Sequence, residues 1–513
     1  MSILSDDSPK VFEWTDCQQK AIESITDWSY QKNQLLYALV GSAGTGKSTV
    51  VVEILKHVKQ KYGVCVSAPT HKAKDVIAQI TGEDAFTIQK LLGLRPNTEL
   101  DNFGIHNLQF SKMGKPKIKE YNLIIIDEAS MLNKDLFDYL VELAIHFKTK
   151  ILFVGDKLQL PPVQEDVSPA LEPDNLNGIS YLITPVRQKL TNPLNLLLLS
   201  LRCDIEFNDY NYNLVNNAIY NFDKFEKIDN LTQKLEENHN MLFKCIRNMI
   251  PEYIIDGEGY SFTQDLNIVI EQATQSFASP DFSENLHHCK FLTYNRVEVE
   301  KYSTAIRNML AGSKSVIIKG ELLTAYKSII EYPAMTNKIT NSEDYIATEV
   351  KQHESYVDEI SGWEVTLESV RTGKITRVFI VNPDNYIKFC KKHRPFHSAA
   401  IRDRKKWRNY YNWKHDYLLL NNLDKRFNDK DLPAQDFGYI YGTTVHKSQG
   451  STYGKVFVDG VNIGGSYGQG ISNIKRKKGR EATKEEKRHL ALLCRRLMYV
   501  ALSRASQTAL IHL

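Results

Sequence analysis

Cysteine is scarce in this sequence, and the seven cysteines among its 513 residues form no Cys-x-x-Cys pair. Their scatter argues against a disulfide framework and against a zinc cluster. His287, His288 and Cys289 are adjacent, but no further ligands stand at metal-binding spacing around them. We therefore interpret them as local polar residues and predict no metal cluster there.

Long apolar runs are also missing. The longest leucine-rich run, residues 194–201, is interrupted by Asn195 and Ser200 and is too short to span a bilayer. The N-terminus, MSILSDDSPKVFEW, lacks the cationic start and apolar core of a secretory signal. We expect a cytoplasmic protein without a membrane partner, located in the host cytoplasm if the source is viral.

Bulk charge is weak as well, with a formal net charge of only +4. Such a small excess says little about binding to a polyanion, so charge has to be read locally. A hydrophobic share of 42% and a charged share of 25% are ordinary for a globular protein. The length is sufficient for at least two hydrophobic cores, and we expect two or more domains.

What the sequence does contain is a series of short apolar runs that alternate with helical patterns. The first four runs, QLLYALV, GVCVSA, NLIIID and KILFVG, are typical of buried parallel strands. The pattern returns in CKFLTYNR, FGYIYGTTVHKSQG, KVFV and TALIHL. Ligands of such open sheets bind beyond the carboxyl ends of the strands. The sequence predicts an α/β protein with two sheets.

Three segments interrupt this alternation. Residues 91–120 are punctuated by Gly, Pro and Asn, which predicts a β-hairpin. Residues 201–285 are polar and predict a helical insertion or linker. Residues 332–433 combine strand-like stretches with a basic, aromatic segment and predict a small β-domain that carries helices. The two sheet domains take the rest of the chain, residues 1–200 for the first and residues 286–331 with 434–513 for the second.

The stretch GSAGTGKS fits the P-loop pattern, follows a predicted strand and opens a predicted helix. Glycines let backbone N–H groups approach phosphate oxygens, and the helix N-terminus adds its positive end. Lys47 is expected to reach the β- and γ-phosphates of ATP, and Ser48 to ligate Mg²⁺. The alternative is a chance glycine-rich turn. The predicted nucleotide-binding residues are Gly41, Gly44, Thr45, Gly46, Lys47, Ser48 and Thr49.

A second motif, LIIIDEAS, narrows the range of P-loop proteins. Asp127 ends a β-branched strand and can hold the Mg²⁺ shell, while Glu128 can polarise a water for attack on the γ-phosphate. Two acids at a strand end are often only a solvated turn, but here they accompany a P-loop. The combination predicts ATP hydrolysis.

Six motifs then carry a resemblance to a known family: the P-loop, APTHKAK, DEAS, VGDKLQLPPV, TTVHKSQGST and LMYVALSRA. Their order resembles that of superfamily 1 helicases, most closely the RecD-like branch and the Dda helicases of tailed phages. The resemblance implies two RecA-like P-loop NTPase domains, a pin hairpin at residues 91–120 and an inserted small β-barrel-like domain. It also implies ATP-dependent unwinding of DNA with movement from 5′ to 3′ along a single strand.

The resemblance implies roles for further residues around the nucleotide. Gln18 would read the adenine edge, and Gln159 and Arg187 would contact the γ-phosphate. Arg504 would be the arginine finger and Gly450 would approach the nucleotide closely. The alternatives are a solvated Gln18 beside a helix cap and a surface salt bridge for Arg504.

A track for single-stranded DNA is implied in the same way. Hydroxyl and amide groups at strand ends can hold phosphates without reading sequence, although ordinary capping of strand ends explains them equally well. A phenylalanine of the hairpin could be the wedge or hairpin core, and the basic aromatic segment could be a clamp or a packed helix. The residues concerned are Thr70, His71, Lys72, Thr87, Phe103, Phe110, Thr293, Asn295, Trp407, Thr444 and His446.

The expected partners are single-stranded DNA, the DNA fork and replication proteins such as a single-strand-binding protein, with the chain acting as a monomer. Two alternatives stay open at this point. One is an RNA-directed helicase of the same superfamily, because these motifs contact phosphates more than sugars. The other is an ATP-gated clamp that binds nucleic acid without unwinding it.

Overall fold

The computed structural model describes residues 13–96, 110–112, 115–162, 165–189, 191–208, 252–312, 315–331, 336–354, 358–420, 433 and 435–513. They fall into two compact units. The first comprises Met1–Thr191 with Ile205–Gln233, and the second comprises Asn192–Asp204 with Lys234–Leu513, each limited to its described residues. No described helix is both long enough and apolar enough to cross a membrane.

The first unit is built on a six-stranded parallel sheet with helices along it. Its strands are β1 (Leu36–Gly41), β2 (Val64–Ala68), β3 (Asp84–Thr87), β4 (Leu94–Pro96), β5 (Phe110–Lys112), β6 (Leu123–Ile126), β7 (Lys150–Gly155) and β8 (Gly178–Leu182). Its helices are α1 (Asp16–Tyr30), α2 (Lys47–Val58), α3 (His71–Thr81), α4 (Ile88–Leu91) and α5 (Lys134–Phe147).

The strand order of this sheet is β3-β2-β6-β7-β1-β8, and every pairing is parallel. Every residue of β2, β6 and β7 is buried, as expected for strands covered on both faces. Since all strands point the same way, the loops after β1, β6 and β7 meet at one edge. The predicted α/β class with a parallel sheet is confirmed.

Strands β4 and β5 form a separate antiparallel pair, with Leu94 opposite Lys112 and Pro96 opposite Phe110. This pair brackets residues 97–109, which lie outside the described residues. An antiparallel ladder is what the hairpin prediction for residues 91–120 requires at its base.

The second unit holds all the remaining strands and most of the remaining helical residues. Its strands are β9 (Glu252–Ile255), β10 (Glu258–Thr263), β11 (Cys289–Thr293), β12 (Leu322–Ala325), β13 (Ile329–Glu331), β14 (Thr336–Ile339), β15 (Asp344–Glu354), β16 (Ser361–Ser369), β17 (Ile375–Val381), β18 (Phe437–Tyr439), β19 (Gly442–Thr444), β20 (Tyr453–Asp459) and β21 (Ala505–His512). The helices from here on are α6 (Leu194–Asn208), α7 (Leu266–Phe277), α8 (Pro280–Glu284), α9 (Arg296–Ala311), α10 (Tyr386–Arg402), α11 (Trp407–His415), α12 (Val445–Ser448), α13 (Gly460–Lys478) and α14 (Lys484–Leu502).

The large sheet of this unit has the order β19-β11-β20-β21-β10-β9, parallel except for the β9–β10 pair. Strands β9 and β10 lie inside residues 201–285, for which we expected helices. They form a hairpin through Asp256 and Gly257, whose φ angles are 51° and 77°. An Asp-Gly pair between two strands is a hairpin signal, and it extends the sheet by two strands that the prediction did not include.

The third sheet is antiparallel, with the order β17-β16-β15-β12-β18. Strands β12 and β18 lie beyond the expected bounds of 332–433, because chain segments on either side of the predicted insertion also pair within this sheet. Leu418 forms a backbone bridge to Ile380 of β17, and Leu420 forms one to Phe437 of β18. One short segment therefore contacts both edge strands of the sheet.

A buried ion pair joins α9 to the start of this sheet, since Arg307 Nη2 lies 2.9 Å from Glu321 Oε2 and both side chains are almost fully buried. We expect Arg307→Met to lower the free energy of unfolding of the second unit by about 3–5 kcal/mol, because Glu321 is left buried without a counter-charge. Urea unfolding measures this. The double variant Arg307→Met/Glu321→Leu is the control and should recover most of the loss; equal losses in both would contradict the argument.

Candidate nucleotide and nucleic-acid sites

The P-loop occupies the turn between β1 and α2. Gly44 and Gly46 have φ angles of 84° and 81°, in the left-handed region that favours glycine. A Cβ on Gly44 would lie 2.7 Å from Cβ of Arg187, and one on Gly46 would lie 2.6 Å from Nε2 of Gln18. Both glycines are therefore required by conformation and by space, and both predicted neighbours of the nucleotide touch the loop.

Lys47 begins α2 and folds back over the loop. Its Nζ donates to the carbonyl oxygens of Gly41 and Ser42, each at 2.9 Å. Burial lowers the pKa of this ammonium, while the negative charges of Asp156 and Glu128 oppose that shift. The ammonium is thus held within the concave side of the loop, where a phosphate oxygen can replace a carbonyl as its partner.

The other predicted loop residues differ in exposure. Thr45 is fully buried, and its hydroxyl donates to the Ser42 carbonyl at 2.9 Å. Ser48 is half-buried in the first turn of α2, whereas Thr49 is exposed. Thr45 therefore shapes the loop through a local bond, and Ser48 has the accessibility that a metal ligand needs.

Asp127 and Glu128 follow the end of β6. The Asp127 N–H donates to the Ser67 carbonyl at 2.9 Å, which fixes the turn to the neighbouring strand β2. Glu128 adopts φ 52°, an uncommon conformation for a residue with a side chain, and its N–H donates to Asp127 Oδ1 at 2.9 Å. Burial and the adjacent Glu128 carboxylate raise the pKa of Asp127 to about 7. Backbone strain and a displaced pKa in one turn are typical of functional sites.

This shift predicts a pH effect on stability. The folded-state pKa of Asp127 lies above its ordinary value of 3.8, so protonated Asp127 favours the folded state. This contribution to the free energy of unfolding is lost as pH rises from about 4 to about 7. Asp127→Asn removes the ionisation. We expect the variant to be more stable than the wild type by a margin at least about 1 kcal/mol larger at pH 8 than at pH 5. Urea unfolding at both pH values measures the margin, and an equal margin would contradict the assignment.

Asp156 and Gln159 lie in the loop after β7, at the same edge of the sheet. Asp156 Oδ2 accepts from the P-loop N–H of Ala43 at 3.0 Å, and its Oδ1 accepts from the Leu158 N–H at 3.1 Å. Gln159 is buried, and its Oε1 has no hydrogen-bond partner among the described residues. A buried amide oxygen without a partner is rare in folded proteins and points to a polar ligand. Sequence reasoning overlooked Asp156, although it follows a strand directly in VGDKLQ.

Gln18 caps helix α1 and also contacts the P-loop, while its contact with the adenine edge stays a prediction. Its Nε2 donates to the Thr45 carbonyl at 3.0 Å, and its Oε1 accepts from the Thr15 N–H at 3.0 Å. The side chain therefore closes a capping box at the start of α1 and also supports the P-loop. It is buried, so the alternative of a solvated Gln18 does not apply.

Arg187 lies against the P-loop through its backbone. The N–H groups of Val186 and Arg187 donate to the Gly44 carbonyl at 2.7 and 2.9 Å. The positive charge of Arg187 also contributes to the lowered pKa of Lys47, after burial. Two cations therefore converge on the loop, which favours an anionic ligand.

In the second unit, Gly450 and Arg504 lie at the amino ends of β20 and β21, not at the carboxyl ends where we expected ligand sites. Arg504 is buried; its Nε donates to the Val500 carbonyl at 3.1 Å, Nη1 to the Ser451 carbonyl at 3.3 Å and Nη2 to Ser503 Oγ at 2.9 Å. A guanidinium has five N–H donors, so these contacts leave donors for a further acceptor. The buried position excludes the surface salt bridge considered as an alternative.

Gln449 and Ser451 flank Gly450, which has φ 75°. Both side-chain polar atoms of Gln449, and Ser451 Oγ, are buried without hydrogen-bond partners among the described residues. An amide left unpaired at both atoms leaves hydrogen-bonding capacity for a polar ligand. Sequence reasoning gave Gln449 only a supporting role, because polarity in a loop does not reveal burial.

The predicted DNA contacts share a structural position: Thr70, Thr87, Asn295 and Thr444 are N-caps of α3, α4, α9 and α12. Their side-chain oxygens accept from the N–H three residues later, at 3.2, 3.4, 2.9 and 3.4 Å. Each follows a parallel strand, so each unit presents capped helix N-termini at the carboxyl edge of its sheet. The remaining N–H groups and the positive helix end suit phosphate oxygens, so capping and phosphate binding are compatible.

Other predicted contacts are not helix N-caps. Thr293 is fully buried and donates to the Asn295 carbonyl at 2.9 Å, so its hydroxyl shapes the turn. His71 and Lys72 lie in the first turn of α3, and nothing is described of their side chains. Phe103 lies outside the described residues, and Phe110 is described only as the first residue of β5.

Sequence reasoning missed Arg296 and Tyr326. The Arg296 guanidinium lies 4.5 Å from the Tyr326 ring centroid, and Lys447 Nζ lies 4.2 Å from the same centroid. Nearby, the rings of Tyr294 and His446 are 5.9 Å apart. Cations and flat rings together suit single-stranded nucleic acid. The residues are distant in sequence, so no local pattern could have grouped them.

Trp407 belongs to an aromatic cluster on α10 and α11. Its ring stacks on Tyr411 at 5.5 Å and meets the edge of Tyr410 at 5.4 Å. Tyr410 is buried and shares a 2.9 Å hydrogen bond with His393 Nε2. These contacts support the packed-helix reading for most of the cluster, while half-buried Trp407 keeps an accessible face.

Comparison with known proteins adds independent information. Residues 13–189 match a family described as an AAA domain. The chain is 23% identical over 488 residues to the uncharacterized protein R530 of Acanthamoeba polyphaga mimivirus, covering 87% of this chain and 93% of that protein. It is 32% identical over 126 residues to the ATP-dependent DNA helicase dda of Enterobacteria phage T4, covering 24% and 27%. It is 33% identical over 162 residues to the ATP-dependent RecD2 DNA helicase of Deinococcus radiodurans, covering 31% and 20%.

A P-loop at the carboxyl edge of a parallel sheet, with Asp127 and Glu128 after β6 at the same edge, defines a P-loop nucleoside triphosphatase. Over the matched residues, the chain is similar to helicases of the RecD and Dda type. The aligned segments span about a quarter of the length of the two helicases above.

Proposed function

We propose that this protein is an ATP-dependent DNA helicase that moves from 5′ to 3′ along single-stranded DNA and unwinds the duplex. The carrying observation is the carboxyl edge of the first sheet, which holds Lys47 of the P-loop, Asp127 and Gln159, whose buried Oε1 has no hydrogen-bond partner among the described residues. Similarity to the two DNA helicases over the aligned segments supports DNA as the substrate, as do the capped helix N-termini of each unit.

The residues present fit ATP with Mg²⁺. A Cβ on Gly44 or Gly46 would clash with neighbouring atoms, and among the described residues Gln159 Oε1 has no hydrogen-bond partner. Mg²⁺ would supply positive charge that offsets the charge of the phosphate oxygens. Ser48 and Asp127 would hold it, and we note that among the described residues no larger group of metal-binding side chains occurs.

Each residue of the site then has its own role in ATP hydrolysis. Lys47 exchanges its two carbonyl partners for phosphate oxygens, and Glu128 accepts a proton from the attacking water. Gln159, with an amide that both donates and accepts, senses the γ-phosphate. Arg504 and Arg187 offset the negative charge of the transferring group.

Movement requires groups that bind the single strand, and strand separation requires an element that parts the duplex. The N-caps at Thr70, Thr87, Asn295 and Thr444 hold phosphates without reading bases, as a translocating enzyme needs. We propose that the hairpin based on β4 and β5 is the pin. We also propose that the inserted sheet is a small barrel, closed where the segment at Leu418–Leu420 contacts both edge strands. The proposal includes action as a monomer and contact with replication proteins such as a single-strand-binding protein.

The test is ATP hydrolysis with and without single-stranded DNA or RNA oligonucleotides of equal sequence. We expect strong stimulation by DNA, little by RNA, and strand separation on duplexes with a 5′ tail in preference to a 3′ tail. Stimulation by RNA alone would favour the RNA-directed alternative. ATPase activity that does not change when nucleic acid is added would contradict the helicase proposal. DNA-stimulated ATPase without strand separation on either tailed duplex would contradict it as well.

A further inference from the structure

One strongly basic stretch of this protein is residues 475–488. It contains eight Lys or Arg residues and three Glu residues, a net charge of +5, whereas the whole chain carries +4. The other residues are therefore slightly acidic in sum. The stretch forms the end of α13, the turn and the start of α14, and all of it except Ala482 and Glu486 is exposed. We call it the basic tip.

The basic tip has a fixed conformation. Gly479 ends α13 with φ 64°, and its N–H donates to the Lys475 carbonyl at 3.0 Å. Thr483 and Glu486 form a capping box at the start of α14. Glu486 also accepts from Arg480 at 2.8 and 2.9 Å. The acidic side chains thus hold the turn, and the excess cations are displayed on a rigid support.

Helix stability explains only part of this charge. Cations in the last turn of α13 interact favourably with the negative helix end. Lys484 is the first residue of α14 and Lys487 lies in its first turn, where the positive helix end disfavours a cation. A surface selected for stability alone would avoid these two lysines, so a binding role accounts for them better.

The tip stands beyond the edge of the sheet that carries the capped helix N-termini. Helix α13 starts at the carboxyl end of β20, and in its first turn Asn462 Oδ1 accepts from the Tyr294 N–H at 2.9 Å. Helix α14 runs antiparallel to it, since Cys494 Sγ lies 3.6 Å from the Ile463 carbonyl oxygen and a Cβ on Gly470 would lie 2.4 Å from Leu490 Cδ2.

The distal halves of both helices project away from the core. In α13 the last buried residue is Ser466, and in α14 the first is Leu492. The remaining dozen residues of α13 correspond to about 18 Å of helix at 1.5 Å per residue. The basic tip is therefore the end of an arm that rises from the same edge as Asn295 and Thr444.

We propose that the basic tip binds the phosphate backbone of double-stranded DNA, at a site separate from the capped helix N-termini proposed to bind the single strand. The inference rests on the proposed function for the identity of the polyanion. Residues 475–488 include no aromatic residue, so the tip lacks the stacking groups that single strands require. A duplex carries one phosphate charge per about 1.7 Å of its axis, which matches a compact cluster of cations.

The test uses the full chain with Lys477→Gln/Lys484→Gln/Lys487→Gln, which removes three exposed cations of the tip. The matched control is Lys32→Gln/Lys56→Gln/Lys319→Gln, which removes three exposed cations elsewhere. The dissociation constant of a blunt duplex is measured by fluorescence anisotropy over a range of salt concentrations. We expect the tip variant to bind about tenfold more weakly, with the log-log salt slope reduced by about 2 to 3, and the control to stay within about twofold.

Single-strand-stimulated ATPase is measured in parallel, so that the two proposals fail separately. Unchanged stimulation with weakened duplex binding supports the inference. Unchanged duplex affinity and slope in the tip variant, or an equal loss in the control, overturns it, as does a loss for single strands that equals the loss for the duplex. Absence of stimulation in the wild type would instead count against the proposed function.

Discussion

Arg504→Ala is expected to lower kcat of DNA-stimulated ATP hydrolysis by about 10³- to 10⁵-fold, with a small change in KM for ATP. The reason is that a guanidinium stabilises charge that develops only in the transition state. In the structure this group is buried and already oriented by Val500, Ser451 and Ser503, with donors left over. Steady-state kinetics at saturating single-stranded DNA measures the effect.

Two controls separate chemistry from folding for Arg504. Arg504→Lys keeps the charge but loses the planar fork, and most of the defect should remain. Arg495→Ala removes a neighbouring arginine of α14 whose Nε lies 2.8 Å from Asp204 Oδ2, so it should change stability and leave kcat nearly unaltered. A kcat for Arg504→Ala within tenfold of the wild type, in a folded protein, would rule out the arginine-finger role.

Glu128→Gln is expected to lower kcat by about 10²- to 10⁴-fold while ATP binding persists. The amide keeps the size and the strained turn of Glu128 but cannot accept a proton from water. The same change should lower the pKa of Asp127, because the Glu128 carboxylate is, after burial, a cause of its elevation. Nucleotide binding by equilibrium titration and ATP hydrolysis measure the two effects separately.

The matched control for Glu128→Gln is Glu83→Gln, an acid of the same unit that pairs with Lys59 at 2.6 Å. It should hydrolyse ATP at the wild-type rate. If Glu128→Gln retained more than a tenth of wild-type kcat, another residue would have to activate the water, and Asp156 would be the first to examine, since it lies against the P-loop.

Much of the candidate site could be predicted because its motifs are local. The P-loop needs glycines at positive φ next to a helix start, and Gly44, Gly46 and Lys47 satisfy this within a few residues. The acids after β6 were equally visible, since a buried strand followed by two carboxylates is a short pattern. The N-caps at Thr70 and Thr444 also follow from hydroxyl residues before helical runs.

Other features depend on pairing across the chain and were not predictable. Strands β9 and β10 mix polar and apolar residues, so the Asp256-Gly257 pair was their one local signal of a hairpin. The inserted sheet recruits β12 and β18 from outside its expected bounds, because register is decided by partner strands. Arg296, Tyr326 and Lys447 meet only when β11, β12 and β19 are in place.

The sequence by itself determined the class of protein, the nucleotide loop and the order of its motifs, because these depend on residues adjacent along one segment. Only the tertiary structure decided which polar groups are buried without partners, that Arg504 lies at the amino edge of its sheet, and that the basic tip stands on an arm. Burial and edge position depend on long-range packing, in which distant segments compete for the same contacts, and no local pattern encodes that outcome.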